Sequence, residues 1–360
     1  MSPERATLDG TADYAVRLAG QSADGHFRRL GNLTVSSIGI GTYLGPADEA
    51  TDRSYQAAVV RALELGLNVI DTASNYRHQR SERAVGRGLI EAMERGIARR
   101  EEVVVASKAG FLPFDGARPA DPRRYIQQAF IDAGLMSWED VVAGCHSLAP
   151  RYLREQIEQS RRNLGLRTVD IYYLHNPEMQ LEEVPREQFL ERMREAFAEL
   201  ERACADDAIG CYGTATWAGY RVPPHHPGHL SMEELVRLAE QVGGAGHHFR
   251  VVQLPYNLSM PEARVMATQR VGGNQMPALD AASRLGLYVV ASASIEQGKL
   301  AAHLPRGPGD LADGPLRTSA QRALQVARSA PGMGTALIGM KTPAHVDENA
   351  LVATVPPLRT

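Results

Sequence analysis

Cysteine is scarce in this chain and lacks any framework spacing. Only Cys145, Cys204 and Cys211 occur in 360 residues. An odd number without metal-ligand spacing indicates neither a disulfide scaffold nor a zinc site. Reduced thiols favour a cytoplasmic protein. No run approaches the ~20 apolar residues that span a bilayer, and the first residues carry no apolar core of the secretory kind. Positive charge is not in excess: the formal net charge is −3, so neither nucleic acid nor an anionic membrane is an expected partner. His225, His226 and His229 lie among Pro223, Pro224 and Pro227 with no carboxylate or cysteine close in sequence, so no metal is expected there. Residues 1–25 are mixed and polar and read as an extension outside the fold, leaving 26–360 as one domain.

Apolar β-type runs alternate with helical patterns through that domain. The strand candidates are Ser36–Ile40, Asn68–Asp71, Val103–Ser107, Val169–His175, Ile209–Thr216, Val251–Tyr256, Tyr288–Ser292 and Ala336–Ile338. Val103–Ser107 is an unbroken apolar run, the pattern of a strand buried on both faces. Helical spacing appears over Ser54–Leu65 and Glu82–Glu94, where Ser81 reads as the N-cap. Pro150 suits a first helical turn, and Gly165 stands where that helix would end. Ser231 with Glu234 reads as a capping box. Eight alternating units predict a parallel sheet closed into a (β/α)8 TIM barrel. The competing open sheet lacks a Gly-x-Gly-x-x-Gly after its first strand. Phe27–Leu30, Gly31-Asn32 and Leu33–Val35 read as an N-terminal hairpin plugging the barrel bottom. Residues 111–146 form a long excursion after strand three and hold Phe111, Phe114, Tyr125, Phe130 and Trp138. They read as a cover over a substrate site.

Polar residues collect at predicted strand ends. Asp71 ends strand two, Lys108 strand three and His175 strand four, with Tyr76 in a short loop. A charge ending an apolar strand is costly unless paired or placed in a site. These types suit proton transfer to a carbonyl. A phenol is protonated at neutral pH and can donate. An adjacent ammonium, Lys108 held by Asp71, is expected to lower its pKa. His175 can hydrogen-bond the oxygen where charge develops. No side chain supplies the accompanying hydride; a nicotinamide could.

Several segments then read together: Gly39-Ile40-Gly41-Thr42-Tyr43, Asp71 through Tyr76, Ser81-Glu82, Ser107-Lys108, Leu174-His175-Asn176-Pro177, Gln253 with Tyr256-Asn257, and Gly339-Met340-Lys341-Thr342 through Glu348-Asn349. In this order, over residues 27–352, they resemble the aldo-keto reductase family. The resemblance implies NADP(H) bound at the C-terminal face of the barrel, with NADH a second option. It makes Tyr76 the general acid, Asp71 and Lys108 its tuning pair and His175 the orienting residue. Gly41, Thr42, Tyr43, Asn176, Thr216, Gln253 and Ser292 would surround the nicotinamide side. Ser294, Ile295, Gly298 and Lys299 would wrap the pyrophosphate. Lys341, Thr342 and His345 would meet a 2′-phosphate at a helix N-terminus, which itself favours anions. Glu348 and Asn349 would reach the adenine. Tyr43, Phe111, Trp138 and Trp217 are the candidate substrate contacts.

The chain departs from the family pattern at three places. Ser292 stands where an aromatic usually stacks on the nicotinamide. Ala215-Thr216 replaces a Ser-Asn pair. His345 replaces an arginine, and an imidazole gives a phosphate a weaker charge. The expected activity is reduction of a small-molecule aldehyde or ketone. The alternatives are a cofactor-binding regulatory protein with slow turnover, and a redox-neutral isomerase or lyase for a sugar-like substrate.

Overall fold

The computed structural model describes residues 4–304 and 314–358. Eight parallel strands close into a barrel: β3 (Ile38–Gly41), β4 (Val69–Asp71), β5 (Val104–Ala109), β6 (Val169–His175), β7 (Ile209–Ala215), β8 (Phe249–Pro255), β11 (Tyr288–Ser292) and β12 (Met333–Gly339), with β12 pairing back onto β3. All eight predicted strands are present, each shifted by no more than a few residues. β5 is buried at every position, as its continuous apolar run required. Closure brings β7 and β8 very near each other. A Cβ on Gly213 would lie 1.8 Å from the Val251 carbonyl oxygen, at the point where the register of the two strands shifts.

Below the barrel, β1 (Phe27–Leu30) and β2 (Leu33–Ser36) form the predicted hairpin. Its Leu30 and Val35 join Val69, Val104, Ile171, Tyr173 and Val251 in an inner core. Residues 4–25, read as an extension outside the fold, carry a helix, α1 (Leu8–Leu18). It seats on this base: the Tyr14 hydroxyl donates to the Leu63 carbonyl at 2.6 Å, and Arg17 pairs with buried Glu102 at 2.6 Å.

The outer layer comprises α2 (Glu49–Glu64), α3 (Arg80–Glu94), α5 (Pro150–Leu164), α6 (Arg186–Ala205), α7 (Met232–Gly243), α9 (Ala278–Arg284), α11 (Ser319–Ser329) and α12 (Pro343–Ala350). Short helices α4 (Pro122–Ile126), α8 (Glu262–Val265) and α10 (Lys299–Ala302) lie in connections. A second hairpin, β9 (Gln269–Val271) with β10 (Asn274–Met276), interrupts the β8 to β11 connection. Its strands are too short for a sequence period, and only Gly272-Gly273 marks its turn.

Pro150 opens α5 and Ser231 caps α7 by accepting from the Glu234 amide. Ser81 does not cap α3. The helix starts at Arg80 after left-handed Gln79, and the buried Ser81 hydroxyl donates to the Thr42 carbonyl at 2.8 Å. Capping gave way to a tie between α3 and the end of β3.

No described helix is long and apolar enough to cross a membrane.

Candidate active site

Strand ends bring the four predicted residues to one point. Asp71 closes β4, Lys108 lies one residue before the end of β5, and His175 closes β6. Lys108 is fully buried, and its ammonium has three partners: Asp71 Oδ1 at 2.5 Å, the Thr72 carbonyl at 2.8 Å and the Tyr76 hydroxyl at 3.2 Å. Those three contacts use its three donors. The other Asp71 oxygen accepts from Gln253 Nε2 at 2.8 Å. Tyr76 meets His175 and Tyr43 edge to face, with ring centroids 5.8 and 5.1 Å apart.

The electrostatics differ from the expectation on one point. Burial pushes the Tyr76 hydroxyl above the ordinary phenol value, and the lowering by Lys108 does not overcome it. Desolvation outweighs the charge while the ammonium is shared with Asp71. Lys108 is also desolvated, yet Asp71 and Tyr76 hold its pKa above the usual lysine value. Burial, then the Lys108 charge, drive His175 well below the usual imidazole range, so it is neutral. The floor of the site is a protonated phenol, an ammonium and a neutral imidazole.

Above them opens a cleft of ≈ 680 Å³. Gly41, Thr42 and Tyr43 line it from the end of β3, and Asn176, Thr216 and Gln253 from β6 to β8. Ser292, Ser294, Ile295 and Gly298 line it after β11, Lys341 just before α12, and His345, Glu348 and Asn349 along α12. Phe111 and Trp217 complete its wall. Lys108 lies beneath this lining, and three predicted cofactor or substrate residues are not among it either. Lys299 pairs with Glu296 at 2.9 Å. Thr342 N-caps α12 by accepting from the His345 amide at 3.3 Å. Trp138 donates to Gln127 Oε1 at 2.7 Å under the Arg123 guanidinium. Of the 111–146 excursion only Phe111 reaches the cleft. The other rings form a ladder, Phe114 to Tyr125 to Phe130 to Tyr152, with centroids 5.4, 6.2 and 5.6 Å apart, anchored on α5. They pack the excursion down rather than cover a ligand.

Several buried polar atoms on residues around the cleft have no hydrogen-bond partner. Among the described residues, Asn75 Oδ1, His175 Nδ1, Thr216 Oγ1, Ser294 Oγ and Asn349 Oδ1 are buried, unbonded and on lining residues. Each leaves a hydrogen bond unmade at a cost of roughly 1–3 kcal/mol. A ligand with polar groups along the cleft would satisfy them.

Two supports were missed in the sequence. Glu178 is buried, and its Oε1 accepts from the amides of Trp217, Ala218 and Gly219 at 2.7, 3.0 and 3.3 Å. It pins the turn that presents Trp217. After Tyr76, the chain runs through three left-handed residues, Arg77, His78 and Gln79, with φ of 50, 56 and 69°. Buried Arg77 holds this run by pairing with Asp52 at 2.5 Å and donating to the Pro46 carbonyl at 2.8 Å. His225 and His226 are exposed, and buried His229 hydrogen-bonds the Thr268 carbonyl at 2.9 Å. No group of three or more potential ligands that could hold a metal occurs among the described residues.

Comparison with known proteins places this geometry in context. The model of the Aldo/keto reductase family matches residues 37–220. "Aldo-keto reductase yakc [NADP(+)]" of Schizosaccharomyces pombe is 26% identical over 153 residues, 41% of this chain and 36% of that protein. "NADH-specific methylglyoxal reductase" of Escherichia coli is 29% identical over 150 residues, 40% of this chain and 39% of that protein. The matched stretch thus spans well under half the length of either relative. Among solved structures, the aldo/keto reductase from Klebsiella pneumoniae in complex with NADP and acetate is 20% identical. Its TM-score is 0.60, over 92% of this chain and 90% of that one. The holo form of aldo-keto reductase AKR11C1 from Bacillus halodurans, also 20% identical, has a TM-score of 0.61 and covers 92% of each chain. At that identity the likeness is one of fold.

Proposed function

The chain belongs to the aldo/keto reductase family, and from that premise we propose that it reduces an aldehyde or ketone to an alcohol with NADPH. The observation that carries this reading is the buried Lys108 ammonium, bonded at once to Asp71, the Thr72 carbonyl and the Tyr76 hydroxyl at the floor of the cleft.

The residues of the cleft fit a dinucleotide. Thr216, Ser294 and Asn349 each offer a buried polar atom without a partner, at the β7 end, in the loop after β11 and on α12. Lys341 adds a positive charge on the cleft wall, beside the start of α12. It suits a 2′-phosphate and favours NADPH over NADH. When bound, the nicotinamide would supply the hydride that no side chain can.

The chain's own part is to position the carbonyl and handle the proton. Tyr76 keeps its proton until a carbonyl oxygen gains negative charge, then donates it. The phenolate that remains lies 3.2 Å from the Lys108 ammonium, in a buried setting where that attraction is stronger than in water. Asp71 holds the ammonium in place, and Gln253 holds Asp71. His175, being neutral, acts on the substrate oxygen as a hydrogen-bond group and not as a cation. Tyr43, Phe111 and Trp217 form the wall against which the substrate would lie.

The test compares NADPH oxidation by wild type and Tyr76→Phe across a panel of activated carbonyls. Wild type should turn over, and the variant should lose at least ~10²-fold in kcat/KM, the scale of lost general-acid help. Equal turnover by both would sink the assignment of Tyr76.

A further inference from the structure

We propose that His146, a buried residue outside the reacting set, is a positioning residue for His175, fixed in one tautomer by a directed chain of hydrogen bonds from Arg192 through Gln180. The proposal rests on the reading of His175 as the residue that orients the substrate oxygen.

The chain of bonds has only one consistent direction. A guanidinium only donates, so the Arg192 bond to Gln180 at 2.6 Å places the Gln180 amide oxygen toward the arginine. That leaves the Gln180 nitrogen facing His146 Nδ1 at 2.8 Å, where it donates. Nδ1 is thereby the acceptor, and the ring proton sits on Nε2. Nε2 lies 2.7 Å from the His175 carbonyl oxygen, which only accepts. Each link agrees with its neighbours, and an alternative tautomer would set two donors or two acceptors face to face.

The surroundings serve the same contact. His146 is fully buried, and burial lowers its pKa to about 4. A neutral ring is what the chain of bonds requires. Phe111 stands edge to face against both imidazoles, with centroids 5.4 Å from His146 and 5.0 Å from His175. Gly110, at φ 147°, leaves room for the approach. A Cβ there would lie 2.6 Å from the His175 carbonyl oxygen and 2.7 Å from His146 Nε2. The backbone and the ring of His175 are thus both contacted by residues of the excursion after β5. Because His175 Nδ1 has no protein partner, these contacts set its direction in place of a hydrogen bond of its own.

The test uses the full chain with 15N-labelled histidine. Wild type should show His146 as the Nε2-protonated tautomer, unchanged between about pH 6 and pH 8. Gln180→Leu removes the selecting group and leaves His146 in place. It should shift the ring signals of His175 and lower kcat roughly 10-fold, below the ~10²-fold cost of a misplacement of about 1 Å. The affinity for NADPH should stay within about twofold. His146→Gln, which keeps a donor near the same place, should retain most of kcat. Arg192→Leu, at the half-buried end of the chain, gives the same readout should the buried variant fail to fold. An Nδ1-protonated His146 in wild type, or unchanged His175 signals in both Gln180→Leu and Arg192→Leu, would overturn the proposal. If the protein reduces no carbonyl and the His175 signals still move, the coupling stands and only the carbonyl-reductase reading falls.

Discussion

The floor and the wall of the cleft are built on opposite terms. At the floor, every donor of Lys108 and both oxygens of Asp71 have protein partners. Along the wall, Thr216 Oγ1, Ser294 Oγ and Asn349 Oδ1 are buried with none. The Lys108 and Asp71 pair at the floor is complete before any ligand arrives, so its geometry costs no reorganisation at the moment of reaction. The wall carries unmet hydrogen bonds, and those are a standing cost to the fold. Chemistry is preorganised in this fold, and binding is left open.

The contrast can be broken hardest at the floor. Lys108→Met leaves Asp71 buried beside an apolar side chain. Such half-removal of a buried pair costs roughly 3–5 kcal/mol. Urea denaturation should show that loss, and carbonyl reduction should fall by at least ~10²-fold. Asp71→Asn added to Lys108→Met should restore much of the stability and none of the activity. A single variant as stable as wild type would mean the pair does not hold the floor together.

Acid tests the buried imidazoles. Burial lowers the pKa of His26 at the barrel base and of His146 beside the floor to about 4. The unfolded chain takes up these protons near pH 6.5, and the folded chain only near pH 4. Stability contributed by both is therefore full above about pH 6.5 and falls as pH drops toward 4, by up to ~1.4 kcal/mol per pH unit for each. Denaturation midpoints between those limits measure it. Replacing His26 with a neutral residue should flatten the slope, and an unchanged slope would reject its share.

The smallest effect belongs to the wall, and its sign is the informative part. Thr216→Val removes a buried hydroxyl that the protein leaves unbonded. NADPH affinity should fall roughly 2- to 10-fold, the scale of one hydrogen bond. The unliganded fold should be no less stable, and should gain as much as ~1 kcal/mol. Fluorescence titration and urea denaturation read the two separately. A loss of both would place Thr216 with the floor, as a structural group.

The floor was the more legible part in sequence. Asp71, Lys108 and His175 announce themselves because charged or polar groups end apolar strands, and strand ends in a parallel barrel share one face. Lining residues such as Ser294 and Asn349 followed from segments that keep their order along the chain. The supports were not legible. Gln180, His146 and Arg192 lie in three different segments, and no period or spacing relates a 3-10 turn after β6 to a loop before α5. Glu178 stood three residues past His175, but only the fold shows that the amides of 217–219 converge on it. Trp138 misled for the opposite reason. Aromatic content says that a segment packs, not against what, and this one packs on α5. The Tyr76 pKa ran against its expected direction because a neighbouring charge is visible in sequence while desolvation is not.

The left-handed run of Arg77, His78 and Gln79 bears on how this protein would evolve. Each residue there holds a conformation that costs a side-chain-bearing residue about 1 kcal/mol or more, and the cost falls on the segment that leads directly from Tyr76. Glycine would adopt the same backbone without that cost. Selection for stability alone would therefore drift toward glycine at His78, whose side chain is only half-buried, and not at Arg77, whose buried pair with Asp52 outweighs the strain. Selection for turnover would hold the bulkier residues and the Arg77 to Asp52 tie that restrains them. Libraries screened for thermal tolerance and for activity should part company first at the His78 codon.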